Sequence, residues 1–235
     1  LFELRKKFGT SKKIILHYLG TDIRGLEGLN NSPPNLFSLI LAVTKRKVGG
    51  IPIDRKYLNF LAQNLADVVL VATPDLLQLV RNGILVPIPV DIDHFKLDKS
   101  PKNQKSDALT FNTEVTDISS ALDYCRKNGI NLDIDVYDRT TNPIMYRDMP
   151  DFLKQYRAYV DIRYIRGLLL ENLSSTALQS LACGLRVLNY KLAYLDSFPN
   201  EHDPRNVVSC LSDIYLRKRS IWLFIWSFFF RLKRS

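Results

Sequence analysis

The chain has 235 residues, 46% of them hydrophobic, and its 33 Lys and Arg outnumber 24 Asp and Glu to give a formal net charge of +9. That length can bury one large core or two small ones, and the positive excess favours an anionic partner: nucleic acid, lipid headgroups or a nucleotide, among which bulk charge does not choose. No apolar run reaches the roughly eighteen residues of a spanning helix, three scattered cysteines suit reduced thiols, three histidines form no metal pattern, and no zinc-finger or aromatic RNA-recognition motif is present, so neither metal nor nucleic acid is expected. The opening Leu1-Phe2-Glu3-Leu4-Arg5 is not a signal peptide and has no Met, which suggests that N-terminal residues are missing.

Lys12-Lys13 lead into an apolar strand over 14–19 that ends at Gly20-Thr21-Asp22. A polar, glycine-containing turn at the carboxyl end of a buried strand is where open α/β sheets place ligands. His17 faces the same side as Leu19; it reads either as a cleft residue or as a strand histidine bonded to a neighbour. Asp22 reads as a cleft residue or as a turn residue. Residues 28–34 are turn-rich, 36–43 apolar, and Lys45-Arg46-Lys47 form a solvated loop or a phosphate contact. The pattern predicts a helix over 57–65 and a near-continuous apolar strand over 67–72, as parallel sheets require. Thr73 is expected to cap a helix with Pro74 in its first turn, Gly83 to end it, and 84–86 to form the next strand. The prolines at 87 and 89 bar regular pairing.

Residues 96–107 read as a polar loop, 109–111 as a weak strand, 119–128 as a helix stopped by Gly129, and 132–136 as a strand. A polar turn over 138–144 precedes a short helix over 149–156 and a strand over 158–162. Arg139, Arg163 and Arg166 are ordinary surface cations or contacts for a diphosphate. The stretch 171–188 then carries Glu171, Asn172, Leu173, the hydroxyls Ser174, Ser175 and Thr176, an apolar helical run, Gln179, the stop Gly184, and a buried strand over 185–188. Unpaired amides at such a helix mouth and the positive end of the helix dipole favour phosphate. The plainer reading is a capping box of Thr176 with Gln179. Residues 189–206 read as irregular and 207–216 as a helix.

Three stretches resemble one family. Glu171, the hydroxyl loop and Leu181-Ala182-Cys183-Gly184 resemble the donor motif of GT-B glycosyltransferases of the family 4, or group 1, type. Those enzymes carry two glutamates with seven residues between them; here the second is Gln179. Residues 16–25 are similar to the "HxHG(T/S)DIRG" signature of archaeal-type members, with His17 at the first histidine and Leu19 at the second. Residues 87–95 are similar to "PNPVDxxxF", with Ile88 for Asn. The run "MPxFLxxYxxYVDI" leads into Glu171 as in those relatives. Together the matches span 14–25, 67–95 and 137–188. Between Lys105 and Arg126 there is no Lys or Arg, where many members keep a cation for the donor diphosphate.

The resemblance implies an α/β, GT-B-like architecture: two Rossmann-like parallel-sheet domains facing a cleft, the first incomplete. The expected divisions are 1–88 for the acceptor side, 89–205 for nucleotide-sugar binding, and 206–235 for a helix and basic aromatic tail. It implies a metal-independent, retaining hexosyl or glycosyl transfer from a nucleotide sugar, with no cofactor, to a glycan, lipid-linked or cell-envelope acceptor. Catalytic roles fall to Glu171, His17 and Asp22. Donor binding falls to Asn172, Leu173, Ser174, Ser175, Thr176, Gln179 and Arg139, and the acceptor side to Gly20, Thr21 and Asp22. The alternative is an impaired relative or fragment that binds without turnover.

Residues 217–235 set an aromatic run between basic clusters, which suits the headgroup zone of an anionic membrane or else a terminal helix packed on the core. The expected location is cytoplasmic, peripheral at the inner face of the cell membrane.

Overall fold

The computed structural model describes residues 2–20, 55–96, 106–113, 116–165 and 167–214. The chain divides into two compact units, Leu1–Pro87 and Ile88–Ser235. Thr21, Asp22, the segments over 28–34, 36–43 and 45–47, Arg166 and the tail over 217–235 lie outside the described residues. Both units are mixed α/β with parallel strands, as the apolar runs implied. No helix among the described residues is long and apolar enough to cross a membrane.

The first unit holds α1 (Phe2–Phe8), β1 (Ile15–Tyr18), α2 (Arg55–Leu65), β2 (Val68–Val71), a 3-10 turn (Pro74–Leu79) and β3 (Ile84–Leu85). Its strands are parallel in the order β1-β2-β3, with His17 opposite Leu70. The central strand buries Val69, Leu70 and Val71, which is why 67–72 reads as an unbroken apolar run rather than an alternating one. Asp67 ties this sheet to α1. Its carboxylate accepts from the Ile14 amide at 2.8 Å and from Arg5 at 2.8 Å, and Arg5 also donates to the Leu65 carbonyl at 2.6 Å. Partial burial works against the charge, but the Ile14 amide and Arg5 outweigh it and hold the carboxyl below its ordinary range.

Two expectations here need correction. The helix after Thr73 is a 3-10 turn, and Thr73 stands at its N-cap with extended backbone but no side-chain capping bond. The turn ends at Leu79, and the left-handed residue that follows is Asn82 (φ 55°), not Gly83. Gly83 is instead a matter of space, because a Cβ there would overlap the Val80 side chain.

The second unit holds β4 (Ser106–Asn112), α3 (Ile118–Lys127), β5 (Ile134–Asp138), α4 (Met149–Leu153), β6 (Tyr156–Val160), a hairpin of β7 (Tyr164–Ile165) and β8 (Leu168–Leu169), α5 (Ser175–Ala182), β9 (Arg186–Leu188) and β10 (Tyr194–Leu195). A helix follows over 204–214. The main sheet runs β10-β9-β6-β4-β5, parallel except for β10. Successive strand residues point to opposite faces. Leu109, Phe111, Tyr159 and Val187 therefore pack with α4 and α5, while Ala108, Ala158, Val160 and Leu188 pack with α3. Helices cover both faces, as in doubly wound folds.

β4 is longer and more buried than the weak strand expected over 109–111, since both of its neighbours hydrogen-bond to it. β6 begins at Tyr156 rather than 158, because Tyr156 anchors the strand by donating its hydroxyl to Asp135 at 2.6 Å. From Ile88 onward the proline-bearing segment also belongs to this unit. Val90 donates its amide to the His202 carbonyl at 3.0 Å, His202 Nδ1 lies 2.8 Å from the Ile88 carbonyl, and Phe95 is fully buried.

Chain direction locates the useful edge. From β4 the chain moves out to β5, then returns past β4 to β6 and β9. Neighbouring strands β4 and β6 thus feed connections to opposite sides, and the crevice at their carboxyl ends is where such sheets bind ligands.

Candidate functional site

The carboxyl ends of β4, β5 and β6 bring together the turn after β5, the loop before α5, and the mouth of α5. Ser174 is the N-cap of α5; its extended backbone (φ −75°, ψ 160°) lets Oγ accept from the Ala177 amide at 2.9 Å. The amides of Ser175 and Thr176 have no acceptor among the described residues. Two open amides at the positive end of a helix form an anion cradle. Gly184 closes the same helix as expected: at φ 82° it allows the Leu185 amide to reach the Ser180 carbonyl at 2.9 Å.

Arg139 begins the turn after β5. Its amide donates to the Asn112 carbonyl at 3.1 Å and extends the β4–β5 ladder. Its guanidinium lies 4.9 Å from the centre of the Phe111 ring, a cation–π contact, and it makes no ion pair among the described residues. The turn is shaped by Asp138, whose carboxylate accepts from the Thr140 amide at 2.8 Å; that bond holds the carboxyl below its ordinary range. Tyr159 on β6 packs against the Phe111 ring, with centroids 5.8 Å apart. Its phenol is pushed well above the usual range, first by burial and then by the Asp161 carboxylate, while Arg163, Ser174 and Arg139 act the other way.

Beneath the loop sits a buried ion pair. Arg163 Nε lies 3.0 Å from Asp161 Oδ1, with side chains 18% and 0% exposed. The approach is not aligned as a hydrogen bond, so it acts as a charge contact. Asp161 Oδ2 accepts from the Ser174 amide at 2.8 Å, and Arg163 Nη2 donates to both the carbonyl and Oδ1 of Asn172, each at 2.6 Å. Asp161 and Arg163 thereby hold the two ends of the segment 172–174.

The expected site residues separate into groups. Glu171 is exposed, with no hydrogen bond or ion pair among the described residues. Asn172 is buried and engaged by Arg163, and Leu173 packs against the core. Gln179 is half-buried and lies in the second turn of α5. The Thr176–Gln179 capping box is not formed, since Ser174 caps and Ala177 fills the third helical position. Arg163 is engaged by Asp161 through Nε and by Asn172 through Nη2. His17 is exposed on β1, Leu19 is 61% exposed, and Gly20 is buried; Thr21 and Asp22 are outside the described residues. No three metal-ligating side chains converge among the described residues.

Asp161 and Tyr159 escaped the sequence reading. The available signal was a charge at the carboxyl end of an apolar strand, two residues before an arginine. Compared with known proteins, the chain matches no family model and no curated protein matches it.

Proposed function

We propose that the chain is a nucleotide-sugar-dependent glycosyltransferase of GT-B arrangement, with its donor site at the carboxyl edge of the second unit's sheet. One observation supports the reading: the turn after β5 that carries Arg139 and the mouth of α5 with the open amides of Ser175 and Thr176 both stand at the carboxyl edge of one parallel sheet. That is the equipment a diphosphate needs. Glu171, exposed beside the mouth, contacts the transferred sugar. Gln179 meets the ribose as a neutral amide, a bond weaker than a carboxylate would make by about 1 kcal/mol. Amides and guanidinium stabilise the departing diphosphate, so the transfer needs no metal. Configuration is retained.

His17, Gly20, Thr21 and Asp22 of the first unit serve a glycan, lipid-linked or cell-envelope acceptor. Residues 217–235 hold the enzyme to an anionic membrane surface, on the cytoplasmic side. The test is turnover of a panel of nucleotide sugars, by hydrolysis or transfer. Wild type is expected to release nucleoside diphosphate from at least one donor and Glu171→Ala to lose at least a hundredfold. Equal rates would remove the proposed site.

A second reading, a relative that binds donor without turnover, is favoured by Gln179 in place of a carboxylate and by the commitment of Arg163. It expects nucleoside diphosphate binding with no release from any sugar nucleotide.

A further inference from the structure

We infer that Asp161 and Arg163 are positioning residues that fix Glu171 relative to the mouth of α5. The inference rests on the donor-site reading for the meaning of Glu171, and on coordinates alone for the restraint itself. Glu171 precedes Asn172, whose carbonyl and side-chain oxygen are both held by one nitrogen of Arg163 at 2.6 Å. Three residues after Glu171, the Ser174 amide is held by Asp161 at 2.8 Å, and Ser174 is the residue that caps the helix. The two anchors are joined to each other at 3.0 Å.

The loop is therefore pinned on both sides of Asn172 and Leu173 by one buried pair. The pair grows from a rigid place, since the Asp161 amide continues the sheet by donating to the Leu188 carbonyl at 2.9 Å. The base of the β7–β8 hairpin, where the Leu170 amide meets the Arg163 carbonyl at 2.9 Å, fixes the chain just before Glu171. An exposed carboxylate with no bonds of its own gets its position only from its backbone, and displacement of a reacting group by about 1 Å can lower a rate roughly a hundredfold. A supporting shell of this kind is what holds a contact residue in register.

A lysine at 163 keeps a cation for Asp161 but cannot span both oxygens of Asn172 and the carboxylate together. The test therefore uses the full chain carrying Arg163→Lys, alone and with Glu171→Ala, and two readouts. Hydrogen exchange over 170–176 is expected to speed by about tenfold or more in Arg163→Lys, while exchange in β4 and β6 stays unchanged. Nucleotide-sugar turnover is expected to fall ten- to a hundredfold, with KM for the donor within about threefold, and to fall no further when Arg163→Lys is added to Glu171→Ala.

Unchanged exchange over 170–176, or an equal additional loss in the Glu171→Ala background, overturns the inference. Should Arg163→Lys not fold, Asn172→Ala removes one arm of the clamp and leaves the ion pair, with the same directions expected. Absence of turnover in wild type overturns the transferase reading instead, and the exchange result then decides the restraint by itself.

Discussion

Replacing Arg163 by leucine leaves the Asp161 carboxylate, 0% exposed, with the Ser174 amide but without its countercharge. Breaking a buried pair from one side costs about 3–5 kcal/mol, because the stranded charge keeps its desolvation penalty. For a unit of about 150 residues each kcal/mol moves the melting temperature by roughly 2–4 °C, so the transition of the second unit should fall by roughly 6–20 °C at pH 7. Asp161→Leu combined with Arg163→Leu should recover at least half of the loss, since removing both charges together is often close to neutral. Scanning calorimetry of the three proteins at pH 7 measures both effects. A single variant melting within 2 °C of wild type at pH 7 would refute the view of this pair as buried and interdependent.

Ser180→Ala should raise the melting temperature. The buried Ser180 hydroxyl has no hydrogen-bond partner among the described residues, so its removal relieves about 1 kcal/mol or more, and alanine is the better helix former; an unchanged or lower value refutes this. At alkaline pH, Tyr156 and Tyr159 both have phenols raised above the ordinary value, with burial the leading cause. The stability they contribute is complete below the unfolded value of about 10 and is lost as the pH rises above it. Urea unfolding between pH 8 and 11 should show that decline, flattened in Tyr159→Phe. The tail makes a separate prediction: the intact chain should pellet with anionic liposomes and a chain cut after Leu216 should not, and equal pelleting removes the membrane contact.

Much of the second unit can be read from its residues because its strands are buried on both faces and its turns use ordinary chemistry. Gly184 and Gly129 stop helices where a positive φ is required, and Asp117 caps α3 by accepting from the Ser120 amide at 3.1 Å. Local pattern fails where distant contacts decide. Ser174, Ser175 and Thr176 are comparable caps by composition; Ser174 prevails because Asp161, thirteen residues earlier, holds its amide. Asp161 and Arg163 look like the end of a strand and a surface cation, and only the fold shows them facing Ser174 and Asn172. Strand β4 is weak in isolation, since Ser106, Asp107 and Asn112 dilute its apolar centre, yet β5 and β6 flank it on both sides. Arg139 is legible as a candidate from its charge and its place after a strand, but its approach to Phe111 is not.

The most direct measurement for the central claim is calorimetric titration of the full chain with UDP, GDP and ADP, repeated with Arg139→Ala. At least one nucleoside diphosphate should bind the wild type. Affinity should fall by about tenfold or more in the variant, the loss of one charge-assisted contact to phosphate. Failure of all three to bind, or unchanged affinity without Arg139, would contradict a diphosphate site at the mouth of α5.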